Sequence, residues 1–176
     1  MSRKSGMAGR GAALGVFRQG LGTVGETGMS HEFRDAGPDD LPGLLALYRH
    51  LTPGDPPLDP ADAQPDFEAL LRSEIAQLLV AEANGALVAT CLLLIVPNLT
   101  RGGRPFAIVE NVVTHAAHRR RGIATHLLHM ARDRARAANC YKMMLTTGRS
   151  DEGVLHFYEQ VGFTRGGKTF FEMRWI

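Results

Sequence analysis

The sequence predicts an α/β fold in which about four helices cover the faces of one central mixed sheet of about six or seven strands. Strand-like apolar runs are interspersed with segments whose apolar residues recur every three or four positions. Two of those runs flank Asn84-Gly85, a strong hairpin signal because both turn positions must tolerate positive φ. A further run, Phe106 to Thr114, is apolar enough to sit centrally in a sheet and leads through a basic stretch into an amphipathic segment. With 176 residues, 44% hydrophobic and 22% charged, the chain can bury one domain's core. Its longest apolar run, Ala86 to Val96, is broken by Thr90 and falls short of the roughly 20 residues of a membrane span.

Residues 1–30 hold eight of the twenty glycines and few large apolar side chains, which predicts a disordered leader ahead of a domain over residues 31–176. Ala12 to Phe17 is too short and glycine-broken for a signal peptide, an organellar presequence stays open, and Met29 directly precedes the first strand-like segment, so the leader reads as dispensable or as the product of an upstream start codon. Arg3, Lys4, Arg10 and Arg18 against Glu26 give it a surplus of three positive charges; taken from the net +2, this leaves the rest at −1. Such a balance does not predict nucleic-acid binding.

A short strand is expected over Glu32 to Asp35. Gly37-Pro38-Asp39-Asp40, with Pro42 just beyond, marks a helix start, and Leu41, Leu44, Leu45, Tyr48 and Leu51 give the helical period. Residues 52–65, with five of the nine prolines and with Asp55, Asp59 and Asp62, predict a long irregular loop. Phe67, Leu70, Leu71, Ile75 and Leu78 then restore helical spacing, and strands follow over Leu79 to Glu82 and Ala86 to Val96, the second ended by Pro97. After the strand Phe106 to Thr114, a helix is expected from Gly122 to Ala138, with Ile123, Leu127, Ala131 and Ala135 in one row. The remaining elements are a strand from Lys142 to Thr147, a helix from Val154 to Val161 stopped by Gly162, and a strand pair at Phe163 to Arg165 and Thr169 to Trp175. Two cysteines, Cys91 and Cys140, are too few for a disulfide framework and predict a reducing, cytoplasmic setting.

The chemistry concentrates in residues 110–125. A strand that runs through a basic turn into a helix presents N–H groups without intrahelical partners at the positive end of the helix dipole, an arrangement suited to phosphate. Arg119, Arg120 and Arg121 add charge, and Gly122 lets a ligand approach the backbone. A solvated basic turn capping an ordinary helix is the competing reading. Arg119-x-x-Gly122-x-Ala124 resembles the acyl-CoA pyrophosphate motif of the GCN5-related N-acetyltransferase (GNAT) superfamily, and Phe157-Tyr158-Glu159-Gln160-Val161-Gly162-Phe163 resembles its later aromatic-Tyr-x-x-x-Gly-Phe signature. Within that superfamily, Glu110 to Ala124 and Cys140-Tyr141-Lys142 look most like glucosamine 6-phosphate N-acetyltransferases. The sequence departs from the usual pattern at Ala116, Arg120 and Asp151, where proline, glycine and asparagine are common.

The resemblance implies a splayed central sheet and a single-domain acetyl-CoA-dependent N-acetyltransferase acting on a primary amine by direct attack on the thioester. It assigns the pantetheine arm to the backbone of Val112, Val113 and Thr114, and the pyrophosphate to Arg119, Arg120, Arg121, Gly122, Ile123, Ala124 and Thr125. Such transfer needs a neutral amine, a hydrogen-bonded oxyanion and a protonated leaving thiolate. Glu110, in an otherwise apolar strand, is the candidate base, acting directly or through water, with Asn111 the alternative polar contact. Tyr158 is the candidate acid; a hydrogen-bonded strand carboxylate and a core tyrosine are the structural alternatives for the two. His115-x-x-His118 and His126-x-x-His129 have ligand-like spacing, yet no Cys or paired carboxylate completes a metal set, so no metal is expected. The acceptor stays open between an ammonium drawn by Asp55, Asp59 and Asp62, a phosphorylated sugar suited to Arg101, Arg104 and Arg149, and a protein or peptide amine. A non-catalytic acyl-CoA-binding module is the alternative of another class. Among partners, a small-molecule amine is expected, no membrane and no nucleic acid, with a homodimer left open.

Overall fold

The computed structural model describes residues 30–175, so the expectations for the leader lie outside it apart from Ser30. Five strands, β1 (Glu32–Asp35), β2 (Ala76–Ala83), β3 (Ala86–Val96), β4 (Phe106–Thr114) and β5 (Met143–Leu145), form one sheet in sequential order. Neighbours from β1 to β4 run antiparallel, and β5 lies parallel to β4. Asn84 and Gly85 turn β2 into β3 with φ of 51° and 77°, the left-handed pair that a two-residue hairpin needs.

Alternation along β2 divides the core. Leu78 and Val80 face α1 (Leu41–Leu51) and α2 (Pro60–Arg72), where they meet Leu41, Leu44 and Phe67. Leu79 and Ala81 face the other layer, α3 (Ile123–Ala137) and α4 (Glu152–Val161), beside Cys91, Leu93 and Val109. The row Ile123, Leu127, Ala131 and Ala135 is buried throughout, which seats α3 firmly behind β4. Each buried Leu or Ile in it contributes about 1.5–3 kcal/mol. Arg34 donates to Asp40 at 2.6 and 3.0 Å and to Glu82 at 2.6 Å, tying β1 to the start of α1 and to β2. No helix among the described residues is long and apolar enough to cross a membrane.

The structure corrects several expected boundaries. The loop after α1 ends at Asp59, whose side chain accepts from the Ala61 N–H at 2.8 Å and so caps α2, leaving Pro60 at its start and Pro65 within it. The helix expected to carry Ile75 and Leu78 stops at Arg72. There the Ser73 hydroxyl accepts from the amides of Ile75 and Ala76, and Leu78 enters β2. The final strand pair does not form, so the sheet has five strands instead of six or seven. Arg165 pairs with Glu152 at 3.2 Å and with Glu159 at 2.8 Å, holding this stretch to α4, and Gly166 turns it with φ of 86°. Phe170, Phe171, Met173 and Trp175 are exposed beyond it.

Candidate active site

The site begins with an irregularity in β4. Thr90 of β3 lies opposite Val113 and Leu92 opposite Glu110, so Cys91 faces both Asn111 and Val112. Asn111 takes a φ of 53° and the strand bulges there. On its other side β4 pairs with β5 only from Ala107 to Val109. The expected strand over Lys142 to Thr147 is confined to Met143–Leu145, and Thr146 and Thr147 diverge from β4. This divergence opens a cavity of about 680 Å³ lined by the second half of β4, the start of α3, the segment after β5 and one side of α4.

At one end of the cavity, β4 passes through a short 3₁₀ turn, Ala116–His118, into α3. Arg119 Nε donates to the Thr114 carbonyl at 3.2 Å, folding the loop back on the strand end. Arg120 and Gly122 are both left-handed, with φ of 58° and 74°. The first helical bond of α3 runs from His126 N–H to the Gly122 carbonyl at 3.0 Å, and the amides of residues 120–125 have no acceptor among the described residues. A Cβ built on Gly122 would meet nothing within 4 Å, so this end of the helix is open to a ligand.

The left-handed Arg120 costs about 1–2 kcal/mol, more than the unfolded-state entropy of about 0.4–1 kcal/mol that glycine adds. Arg120→Gly is therefore expected to raise thermal stability slightly while weakening anion binding at the loop. A lowered melting temperature would show that Arg120 makes contacts that outweigh its strain.

Of the residues singled out from the sequence, Glu110, Val112, Val113, Thr114, Arg119, Arg120, Gly122, Ile123, Ala124, Thr125 and Tyr158 all line this cavity, as does Asn111. Arg121 does not; it is exposed, and its charge acts on His118. Tyr158 is half-buried, its ring against Phe157 and Phe163 at centroid distances of 5.0 and 6.1 Å. Burial pushes its phenol above the usual value; Arg149 opposes the shift, while Cys91 and Glu110 add to it. A phenol so placed keeps its proton near neutral pH and can donate it. Cys91, beneath the bulge, is fully buried, which raises its thiol to about 12 and leaves it unreactive.

Other candidates fall elsewhere. Asp55, Asp59 and Asp62 do not line the cavity, although Thr52 at the end of α1 does. Arg104 donates to the Asn139 and Cys140 carbonyls at 3.1 Å, just past the end of α3, and Arg101 lies 5.8 Å from the Tyr141 ring centre; neither reaches the cavity. Arg149 does reach it. His126 stacks on Phe33 at 3.9 Å as a packing residue. Among the described residues no group of three or more His, Cys, Asp or Glu side chains could hold a metal ion.

Sequence spacing did not reveal that His50, at the end of α1, lines the cavity and meets the His115 ring at 4.5 Å. His115 contacts His118 at 5.7 Å, and His118 contacts His31 at 6.3 Å. His31 Nε2 and His118 Nδ1 are buried without a hydrogen-bond partner. Burial first, then the charges of Arg121, His115 and His31, hold His118 below the usual imidazole value. The unfolded chain therefore takes up this proton first, so stability is present above a pH of about 6.5 and falls as the pH drops below it. His118→Gln is expected to flatten that acid slope in denaturant titrations between pH 7 and 5; an unchanged slope would assign the proton uptake elsewhere.

Residues 44–163 match the family model described as "Acetyltransferase (GNAT) family". A glucosamine 6-phosphate N-acetyltransferase from Trypanosoma brucei brucei is 32% identical over 133 residues, covering 75% of this chain and 88% of the relative. An L-methionine sulfoximine/L-methionine sulfone acetyltransferase from Pseudomonas paraeruginosa is 27% identical over 152 residues, covering 80% and 84%. A solved structure from Agrobacterium tumefaciens str. C58, provisionally described as an acetyltransferase, is similar with a TM-score of 0.78 and 50% identity, covering 81% of this chain and 99% of that one.

Proposed function

Because the chain belongs to the GNAT acetyltransferase family and is an acyltransferase, we propose that it transfers the acetyl group of acetyl-CoA to the primary amine of a small molecule by direct attack of that amine on the thioester. The observation that carries this reading is the row of unpaired amides at residues 120–125, opening into the gap where β4 and β5 part. Those N–H groups, with Arg119 and Arg120, suit a pyrophosphate, and the free edge of β4 at Val112, Val113 and Thr114 suits pairing with the amides of a pantetheine arm.

Within that frame the chain's own groups have distinct tasks. Glu110, directly or through water, takes a proton from the substrate ammonium, leaving a lone pair to form the new N–C bond. A backbone N–H near Val112 to Thr114 stabilises charge gathering on the carbonyl oxygen. Tyr158 gives its proton to the sulfur as the C–S bond breaks, and the amine's remaining excess proton restores the phenol through solvent. The two free thiols, Cys91 and Cys140, suit a reducing cytoplasmic setting.

The test combines binding and turnover. Acetyl-CoA should raise the melting temperature by mass action, and thiol release should appear with amino sugars, amino acids or peptide N-termini as acceptors. Protection without turnover on any amine would favour an acyl-CoA-binding module. The absence of a shift at saturating acetyl-CoA would overturn the cofactor assignment.

A further inference from the structure

The charges around the cavity are one-sided. Glu110 is the one carboxylate among its lining residues, against Arg119, Arg120 and Arg149, with the imidazoles of His50 and His118 on the same wall system. Arg119 and Arg120 belong to the loop before α3, whose open amides suit the pyrophosphate proposed above. Arg149 belongs to the segment between β5 and α4, on the other wall of the gap from β4. Its guanidinium is exposed and makes no hydrogen bond or ion pair among the described residues, although its backbone amide is fixed by the Thr147 hydroxyl at 3.2 Å. It lies near enough to Tyr158 for its charge to act on that phenol.

Resting on the acetyltransferase reading above, we infer that the acceptor is an amine that also carries an anionic group, a carboxylate or a phosphate, and that Arg149 binds that group while the amine faces Glu110. A polycationic acceptor meets the opposite situation. Asp55, Asp59 and Asp62 line no part of the cavity, so among its lining residues a second or third ammonium finds no carboxylate beyond Glu110 and faces Arg149 instead. The single carboxylate near Tyr158 suits a single amine, and the unpaired guanidinium suits a single anion; a planar fork of donors matches either carboxylate or phosphate oxygens.

Matched acceptors test this in the full chain. Glucosamine 6-phosphate is compared with glucosamine, an α-amino acid with its carboxamide, and spermidine serves as the polycation, each in wild type, Arg149→Gln and Arg149→Lys. In at least one pair the anionic member should show a higher kcat/KM, and the pair that does so distinguishes phosphate from carboxylate. Arg149→Gln should raise KM for that acceptor roughly 10- to 100-fold, as loss of a charged hydrogen bond does. It should leave KM for acetyl-CoA unchanged and raise KM for the neutral member far less than for the anionic one, and Arg149→Lys should recover part of the loss. Equal or better use of neutral or polycationic acceptors overturns the inference. So does an Arg149→Gln effect on KM for acetyl-CoA in place of the acceptor, which would assign the guanidinium to the cofactor. Failure of acetyl-CoA to stabilise the wild-type protein overturns the acetyltransferase reading, and this inference with it.

Discussion

Replacing Gly122 with glutamate is expected to abolish thermal protection by acetyl-CoA. Gly122 sits with φ of 74° at the cap of α3, a conformation that side chains rarely adopt, and lines the cavity next to the unpaired amides. A glutamate there would place a carboxylate against the anion that the loop is proposed to hold, at the helix end where bound negative charge is otherwise favoured. Because no neighbouring atom lies within 4 Å of the added Cβ, the substitution meets no steric clash in the free chain. Its folding cost is then chiefly the backbone strain of about 1–2 kcal/mol, within the stability of an ordinary domain. The expected result is a folded variant with a somewhat lower melting temperature and no further shift on adding acetyl-CoA. A wild-type shift retained by Gly122→Glu would move the pyrophosphate away from this loop.

Tyr158→Phe carries the second large effect. The ring packs against Phe157 and Phe163, and these contacts survive the substitution, while the hydroxyl has no hydrogen-bond partner among the described residues to lose. Stability should therefore barely change. If the phenol protonates the departing sulfur, kcat should fall roughly 100-fold or more, the usual loss for a general acid. A kcat within threefold of wild type, with acetyl-CoA binding intact, would falsify the acid role and leave the tyrosine a packing residue. Glu110→Gln separates the other half of the proton path. Losing the base should depress the rate most at low pH, where the acceptor amine is most protonated and most needs help to lose its proton.

The strands around Asn84-Gly85, the strand-loop-helix unit from Phe106 to Ala137 and the stop of α4 at Gly162 were all legible in the sequence. Each rests on a signal contained within a few residues: a left-handed turn pair, an apolar run, a helical row or a glycine cap. The loop residues Arg119 to Thr125 were legible for the same reason, since a helix start exposes its amides wherever it occurs. The less accurate boundaries have local causes that compete with one another. Pro60 and Pro65 read as loop residues until Asp59 caps the helix that contains both, and Leu78 keeps helical spacing with Leu71 although Ser73 ends the helix before it.

By itself, then, the sequence determined the types of the strands and α-helices from β1 to α4, the hairpin, the open helix start at Gly122 and the choice of Glu110 and Tyr158 as candidates. Only the tertiary structure decided how far β4 and β5 stay together, and hence where a cavity opens. It also brought His50 and Arg149 to that cavity, sent Arg104 to the carbonyls past α3, and held residues 163–166 to α4 so that the last two strands did not form. The reason is range. Turn chemistry, capping and periodicity act between residues a few positions apart, so one segment suffices to express them. Strand register and divergence, and the choice of which charged side chains meet, depend on contacts between residues far apart in the chain.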